Sequence, residues 1–282
     1  MTIIEDKRFD EERALYGQRE LLLRRCRFDG PADGESALKM SRDITAEDCF
    51  WNLRYPLWHG KGITLRRAEM TELCRAALWY TEDIRIEDSR LGGIKALREC
   101  ADVQLRRTAA ESPELGWMCR RVSGEDFSAE GQYLFLRGEA LSFTRSEFTG
   151  KYGFQYVRDA VFDRCVFDTK DAFWHGKNIT VRDSVVKGEY LGWYSEGLTL
   201  IRCRIIGTQP LCCCRGLRLI DCAMEGTDLA FENSDVTASV TTPVVSIKNP
   251  KSGLIAAPAV GAVVRDNPGS AGQILIGGKL FS

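Results

Sequence analysis

Ile179-Thr-Val-Arg-Asp-Ser184 holds the reading of the whole chain: two alternating aliphatics, two polar residues, then a small residue. Ile84-Arg-Ile-Glu-Asp-Ser89, Val103-Gln-Leu-Arg-Arg-Thr108 and Leu217-Arg-Leu-Ile-Asp-Cys222 repeat it. With the last residue as anchor, the series runs Cys26, Cys49, Ala68, Ser89, Thr108, Phe127, Ser146, Cys165, Ser184, Cys203 and Cys222. The steps are 23, 19 and 21, then seven of 19. Alternation over five or six residues marks a strand with one buried face. One such strand per 19 residues describes a coil stacked on its neighbour.

The two polar residues before each anchor support stacking in register. They read Arg24-Arg25, Glu47-Asp48, Arg66-Arg67, Glu87-Asp88, Arg106-Arg107 and Glu125-Asp126, alternating in sign. At a parallel spacing of about 4.8 Å each basic pair meets acidic pairs above and below. Exposed pairs contribute only about 0–1 kcal/mol each, so the lattice specifies register more than stability.

A leucine-rich repeat would need Leu three residues before the first strand aliphatic. That column holds Gly60, Thr81, Cys100, Cys119, Gly138, Val157, Gly176, Ser195 and Cys214. No six-residue subperiod of a left-handed helix is present. The expected fold is all-β: a single-stranded right-handed parallel β-helix of about eleven 19-residue coils over 17–234. An N-terminal helical cap is expected over 1–16, from Phe9-Asp-Glu-Glu-Arg-Ala-Leu-Tyr16, and a C-terminal cap and tail over 235–282.

Composition narrows the function. Thirty-nine basic and 40 acidic residues give a net charge of −1, with a pI near 6.2. Neither a nucleic-acid footprint nor an anionic-membrane footprint is present. No signal peptide or apolar span is visible, so a cytoplasmic chain is expected. The eleven cysteines read as reduced thiols, ten buried hydrophobes and one exposed group. Adjacent residues of Cys212-Cys213-Cys214 point to opposite strand faces, and no zinc-type spacing occurs, so neither metal nor cofactor is expected.

The chain also resembles a known group, the bacterial β-helix proteins of domain of unknown function 3737. The resemblance is carried by Phe9-Asp-Glu-Glu-Arg-Ala-Leu-Tyr-Gly17, Leu53-Arg-Tyr-Pro56, Met70-Thr-Glu-Leu-Cys-Arg-Ala-Ala-Leu-Trp-Tyr80 and Asp168-Thr-Lys-Asp-Ala-Phe-Trp-His175. Val186-Lys-Gly-Glu-Tyr-Leu-Gly-Trp-Tyr194, Ile206-Gly-Thr-Gln-Pro-Leu-Cys212 and Ile247-Lys-Asn-Pro-Lys-Ser-Gly253 extend it nearly end to end. It implies a pectin-lyase-like solenoid and no activity. The Asn-Thr-Asp, Asp-Asp and Gly-His-Gly elements of polygalacturonase-like enzymes are absent, as is the pectate lyase arginine motif. Fold alone transfers no chemistry.

One column departs from ordinary solenoid. Nine residues after the anchors, allowing for two extra residues in the coil after Ala68, stand Trp58, Trp79, Arg98, Trp117, Leu136, Gln155, Trp174, Trp193 and Cys212, with five of the six tryptophans. The preceding column, Leu57 through Leu211, is apolar and is expected to face inward. The tryptophans then either form an exposed stripe for an oligosaccharide or turn into the core, as Trp usually does. The following column holds His59, Tyr80, Tyr156, His175 and Tyr194. The two histidines lie six coils apart, about 29 Å at strand spacing, and so cannot share a catalytic centre. Register places His175 between Tyr156 and Tyr194, and Asp171 between Tyr152 and Tyr190, with Asp168 and Glu189 nearby. Carboxylates beside tyrosines suit sugar hydroxyls, and Asp168, Asp171 and Glu189 are candidates for glycosidic acid/base work. The expected partner is an oligosaccharide or glycan, with enzymatic activity left open. The alternative is a cytosolic interaction scaffold or homo-oligomer without catalysis.

Overall fold

The computed structural model describes residues 1–281. The chain is a right-handed parallel β-solenoid of about 14 turns, in two compact units, Met1–Ser142 and the residues from Phe143 on. No α-helix occurs among the described residues, only a 3-10 turn at Glu72–Cys74. None of them forms a helix long and apolar enough to cross a membrane.

In the first unit the strands Thr2–Glu5, Arg19–Arg24, Arg42–Glu47, Lys61–Arg66, Glu82–Glu87, Ala101–Arg106 and Arg120–Glu125 pair in parallel, each with the next. Their registers follow the anchor intervals, for example Arg19 opposite Arg42 and Lys61 opposite Glu82. Each strand then bends, at Arg25, Asp48, Arg67, Asp88 or Arg107, through left-handed backbone near φ +50°. The anchor sits inside that corner, which is why it is small in every coil but that of Phe127. Its hydroxyl or thiol donates to the carbonyl two residues back, as in Ser89 Oγ to Glu87 (2.6 Å) and Cys49 Sγ to Glu47 (3.3 Å). A cysteine-rich column is therefore corner chemistry, a small side chain that also satisfies a buried acceptor.

A second short strand follows each corner, such as Arg27–Phe28 and Phe50–Trp51. It buries Phe28 and Trp51, whose rings stack 4.0 Å apart. The charge lattice forms outside: Arg24 reaches both Glu5 and Glu47 at 3.2 Å, and Arg25, Arg67 and Arg107 grip Asp6, Asp48 and Asp88 at 2.6–2.8 Å.

The second unit repeats the pattern. Arg158–Asp163, Lys177–Arg182, Thr199–Ile201 and Leu217–Glu225 pair in parallel. The stack continues through Asp235–Val240, Ser252–Ala257 and Gln273–Ile276. Phe143, Phe148, Phe154, Phe162, Phe167 and Phe173 fill its interior, with Phe148 edge-on to Phe154 at 4.8 Å. Each fully buried Phe contributes about 1.5–3 kcal/mol. At the end Lys279–Leu280 turns back antiparallel on Gln273–Ile276 and covers that edge, as an exposed edge strand requires.

Two expectations are corrected. The stretch Phe9–Tyr16 is no helix. Arg13 is in left-handed backbone, and the N–H groups of Arg13, Leu15 and Gly17 donate to Glu35, Ala37 and Lys39 in the next coil. Pairing between coils overrides the helical propensity of Glu-Glu-Arg-Ala-Leu. The eleven coils become about 14, because strands before the first counted anchor and after the last, such as Thr2–Glu5 and Ser252–Ala257, stack on as well.

Candidate aromatic binding surface

The apolar column faces inward: Leu57, Leu78 and Leu97 are fully buried in the first unit, as are Phe154, Phe173 and Leu211 in the second. Two positions later each coil bends through left-handed backbone, at His59, Tyr80, Tyr156, His175 and Tyr194. That corner decides the fate of the tryptophans. They neither stand out as a stripe nor enter the core; each lies half-buried along the flank with its indole N–H tied down. Trp58 donates to the Ala76 carbonyl (2.7 Å), Trp117 to Tyr133 (3.2 Å), Trp174 to Tyr190 (2.6 Å) and Trp193 to Gln209 (2.7 Å). Trp79 donates to the Glu99 carboxylate at 3.2 Å. Bulky side chains in left-handed backbone are uncommon. Here Arg25 and Asp48 adopt it too, so the conformation belongs to the coil and does not mark a site.

In the first unit the aromatic flank is occupied by its own chain. The Arg98 guanidinium lies 5.0 Å from the ring of Trp79 and 5.0 Å from that of Trp117, and it bonds Glu114 at 3.2 Å. Trp58 carries Tyr55 at 4.5 Å and the Lys39 ammonium at 5.5 Å. The stacked pair His59–Tyr80, 5.0 Å apart, projects outward. The sequence had placed Arg98 in the tryptophan column, and its plugging role follows from cation–π attraction across adjacent coils.

The second unit brings six rings together. Tyr156, His175 and Tyr194 stack in an outer row at 4.8 and 5.0 Å, with planes within 8°. Behind them Trp174 and Trp193 stack at 5.6 Å. Tyr190 meets Trp193 edge-on at 5.2 Å. Because the outer rings cover one another's faces, they present edges: two phenols and an imidazole at coil spacing. Tyr156 and Tyr194 remain nearly half exposed. At the end of the row Cys213 approaches the Tyr194 hydroxyl, and its potential charge, with some desolvation, pushes the Tyr194 phenol up.

The three candidate carboxylates differ. Asp168 is exposed and paired with Lys187 at 2.8 Å; Glu189 is paired with Lys170 at 2.9 Å. Lys170 also lies 5.2 Å from the Tyr190 ring. Asp171 alone is enclosed, and burial raises its carboxyl above the usual 3.8, with Lys170 opposing and Glu189 adding to the shift. Its amide donates to Glu189, fixing it one coil before Tyr190. Tyr152, half-buried, carries Lys151 at 5.1 Å. The lysine partners were not anticipated, although their 19-residue spacing from Asp168 and Glu189 was readable. Among the described residues no three His, Cys, Asp or Glu side chains converge as a metal site.

Residues 2–275 match a family described as Protein of unknown function (DUF3737). The chain belongs to this family. No curated protein matches it. Among solved structures it is similar to tailspike protein 3 of bacteriophage CBA120, at 10% identity over 97% of this chain and 51% of that one, TM-score 0.39. The chain thus spans about half the tailspike's length. It is also similar to PfbA, a surface adhesin of Streptococcus pneumoniae, at 8% identity over 79% and 71%, TM-score 0.39. The A-module of mannuronan C-5 epimerase AlgE6 from Azotobacter vinelandii aligns at 11% identity over 99% and 88%, TM-score 0.36. No residue role or activity is carried over from these structures.

Proposed function

We propose that this member of the family binds carbohydrate through the aromatic flank of its second unit. The observation that carries the reading is the contiguous six-ring surface of Tyr156, His175, Tyr194, Trp174, Trp193 and Tyr190. It is partly exposed, with Tyr156 and Tyr194 nearly half open to solvent. Amphipathic aromatic edges with hydroxyls pair an apolar contact with hydrogen-bonding tips. That combination suits sugars, whose C–H faces and hydroxyl rims alternate. The pinned indoles make a rigid backing, so little ordering accompanies binding. The role is recognition: Asp168 and Glu189, which an acid/base pair would use, are both held in ion pairs.

Immobilised neutral and acidic oligosaccharides probed with the intact chain test the reading. Binding to at least one class, lost in Tyr194→Ala and His175→Ala but kept in Tyr80→Ala, is the expected pattern. Absence of binding to any of them contradicts it, as does binding that survives both substitutions.

A further inference from the structure

The first coil leaves its side of the core uncovered. Among the described residues its strands Thr2–Glu5 and Arg8–Phe9 pair with the second coil alone, Ile4 opposite Leu23 and Phe9 opposite Phe28. Leu23 and Phe28 are fully buried, whereas Ile4 and Phe9 are half-buried and Ile3 is 53% exposed. The Phe9 ring stacks on Phe28 at 5.0 Å and Phe28 on Trp51 at 4.0 Å, so this aromatic column finishes in an open face. An unpaired strand edge is a template for another strand, and a solenoid needs such an end covered. The last strand differs, because Lys279–Leu280 folds back over Gln273–Ile276.

The charges of the first coil say what fits it. Glu47, inside the lattice, is bonded by Arg24 from one side and by Arg66 from the other, each at 3.2 Å. Glu5 and Asp6 are held by Arg24 and Arg25, both from the second coil. The next two residues are basic. By register Lys7 takes the corner place that Cys26 and Cys49 fill in the following coils, yet it is exposed where they are buried. Arg8 is exposed too, its Nε donating to the Asp29 carbonyl at 2.8 Å. Ile4-Glu-Asp-Lys-Arg-Phe9 is therefore its own complement. Laid antiparallel on itself about the Asp6–Lys7 bond, it sets Ile4 against Phe9, Glu5 against Arg8 and Asp6 against Lys7. A two-fold axis bisecting that corner lays Thr2–Glu5 of one copy over the arm that starts at Arg8 of the other. The apolar inner residues then meet, and each acid meets a base. Self-complementarity of this kind is what a closed two-fold contact requires.

We propose that two copies of this chain join through their first coils, in a two-fold contact centred on Asp6 and Lys7. The test is sedimentation equilibrium of the intact chain over a range of concentrations, alongside Lys7→Glu, Asp6→Lys and an equimolar mixture of these two variants. The expected result for the parent is a reversible dimer of twice the 31.7 kDa chain mass. Each variant alone opposes like charges across the axis and should dimerise about tenfold more weakly or worse. In the mixture every acid again faces a base, and the dimer should return. Circular dichroism checks that each variant is folded, and Glu5→Arg with Arg8→Glu, which face each other in the same way, replaces the set if one is not. A parent that stays monomeric at every concentration overturns the inference. A dimer that both single variants leave intact overturns it, as does one that the mixture fails to restore or an open-ended series of larger assemblies.

Discussion

His175 lies face to face with Tyr194, the ring centroids 5.0 Å and the planes 8° apart. Tyr156 covers its other face at 4.8 Å. The imidazole is thus sandwiched, and the row meets solvent through ring edges. Contacts of this kind add about 0.5–1.5 kcal/mol per pair beyond area burial. A double-mutant cycle of His175→Ala and Tyr194→Ala, followed by urea unfolding, should give a coupling in that range while each variant stays folded. Strict additivity would mean that the rings are neighbours without being partners.

The indole N–H bonds give a second test. Trp174→Phe keeps a ring against Trp193 but leaves the Tyr190 carbonyl without its 2.6 Å donor. The denaturant midpoint should fall by an amount equivalent to about 1 kcal/mol, with the slope unchanged. An unaltered midpoint would show that solvent satisfies that carbonyl equally well.

Coil stacking is sharply tested at glycine. A Cβ on Gly207 would stand 2.0 Å from the Gly188 carbonyl oxygen, whereas one on Gly226 meets nothing within 4 Å. Gly226 has the left-handed φ of +61° that other residues adopt, whereas +133° at Gly207 is essentially reserved for glycine, so backbone strain adds to the clash there. Gly207→Ala should cost about 4 kcal/mol or more, in the range reserved for backbone strain. Gly226→Ala should cost about 1 kcal/mol. Equal costs, read from thermal melts of the two variants, would contradict the tight stacking.

Acid should loosen the lattice. Hydrogen bonds from Arg67, Arg107, Arg121 and Arg202 hold Asp48, Asp88, Asp102 and Asp183 below the ordinary 3.8. Each therefore contributes stability that is present above pH 3.8 and is lost as pH falls through the lower folded-state value. Asp171 works oppositely. Its raised carboxyl stabilises the fold least above its folded value, and that penalty is relieved as pH falls toward 3.8. Melting temperatures should drop below about pH 4, less steeply in high salt, which screens exposed pairs. The Asp171→Asn variant should gain most over the parent at neutral pH and least in acid.

Thiol chemistry should single out one residue. Ten of the eleven cysteines are buried, and desolvation pushes Cys49, Cys74 and Cys212 up to about 12. Cys213 is partly exposed, though raised as well. Native alkylation should modify one thiol per chain, slowly at pH 7, and Cys213→Ser should abolish it. Rapid labelling of several thiols would contradict the buried corners.

The coils were legible because side-chain period, anchor spacing and charge sign all repeat with the same step, and that step sets the register. The cap at Phe9–Tyr16 was misread because local propensity is silent about donors that reach Glu35, Ala37 and Lys39. At the aromatic flank, the columns came through: His175 does lie between Tyr156 and Tyr194. What columns cannot carry is side-chain direction after a left-handed corner. So the tryptophans' half-buried pose, the Arg98 plug and the isolation of Asp171 emerged only in three dimensions.

The chain has two histidines, His59 in the first unit and His175 in the second, so its imidazole carbon–proton NMR spectrum holds two ring signatures. Titrating cellohexaose, xylohexaose, mannohexaose and maltohexaose into the intact chain while following both rings tests the carbohydrate surface most directly. A saturable shift of the His175 signals with at least one hexaose, and stationary His59 signals, is the predicted result. Stationary signals from both rings throughout would contradict it.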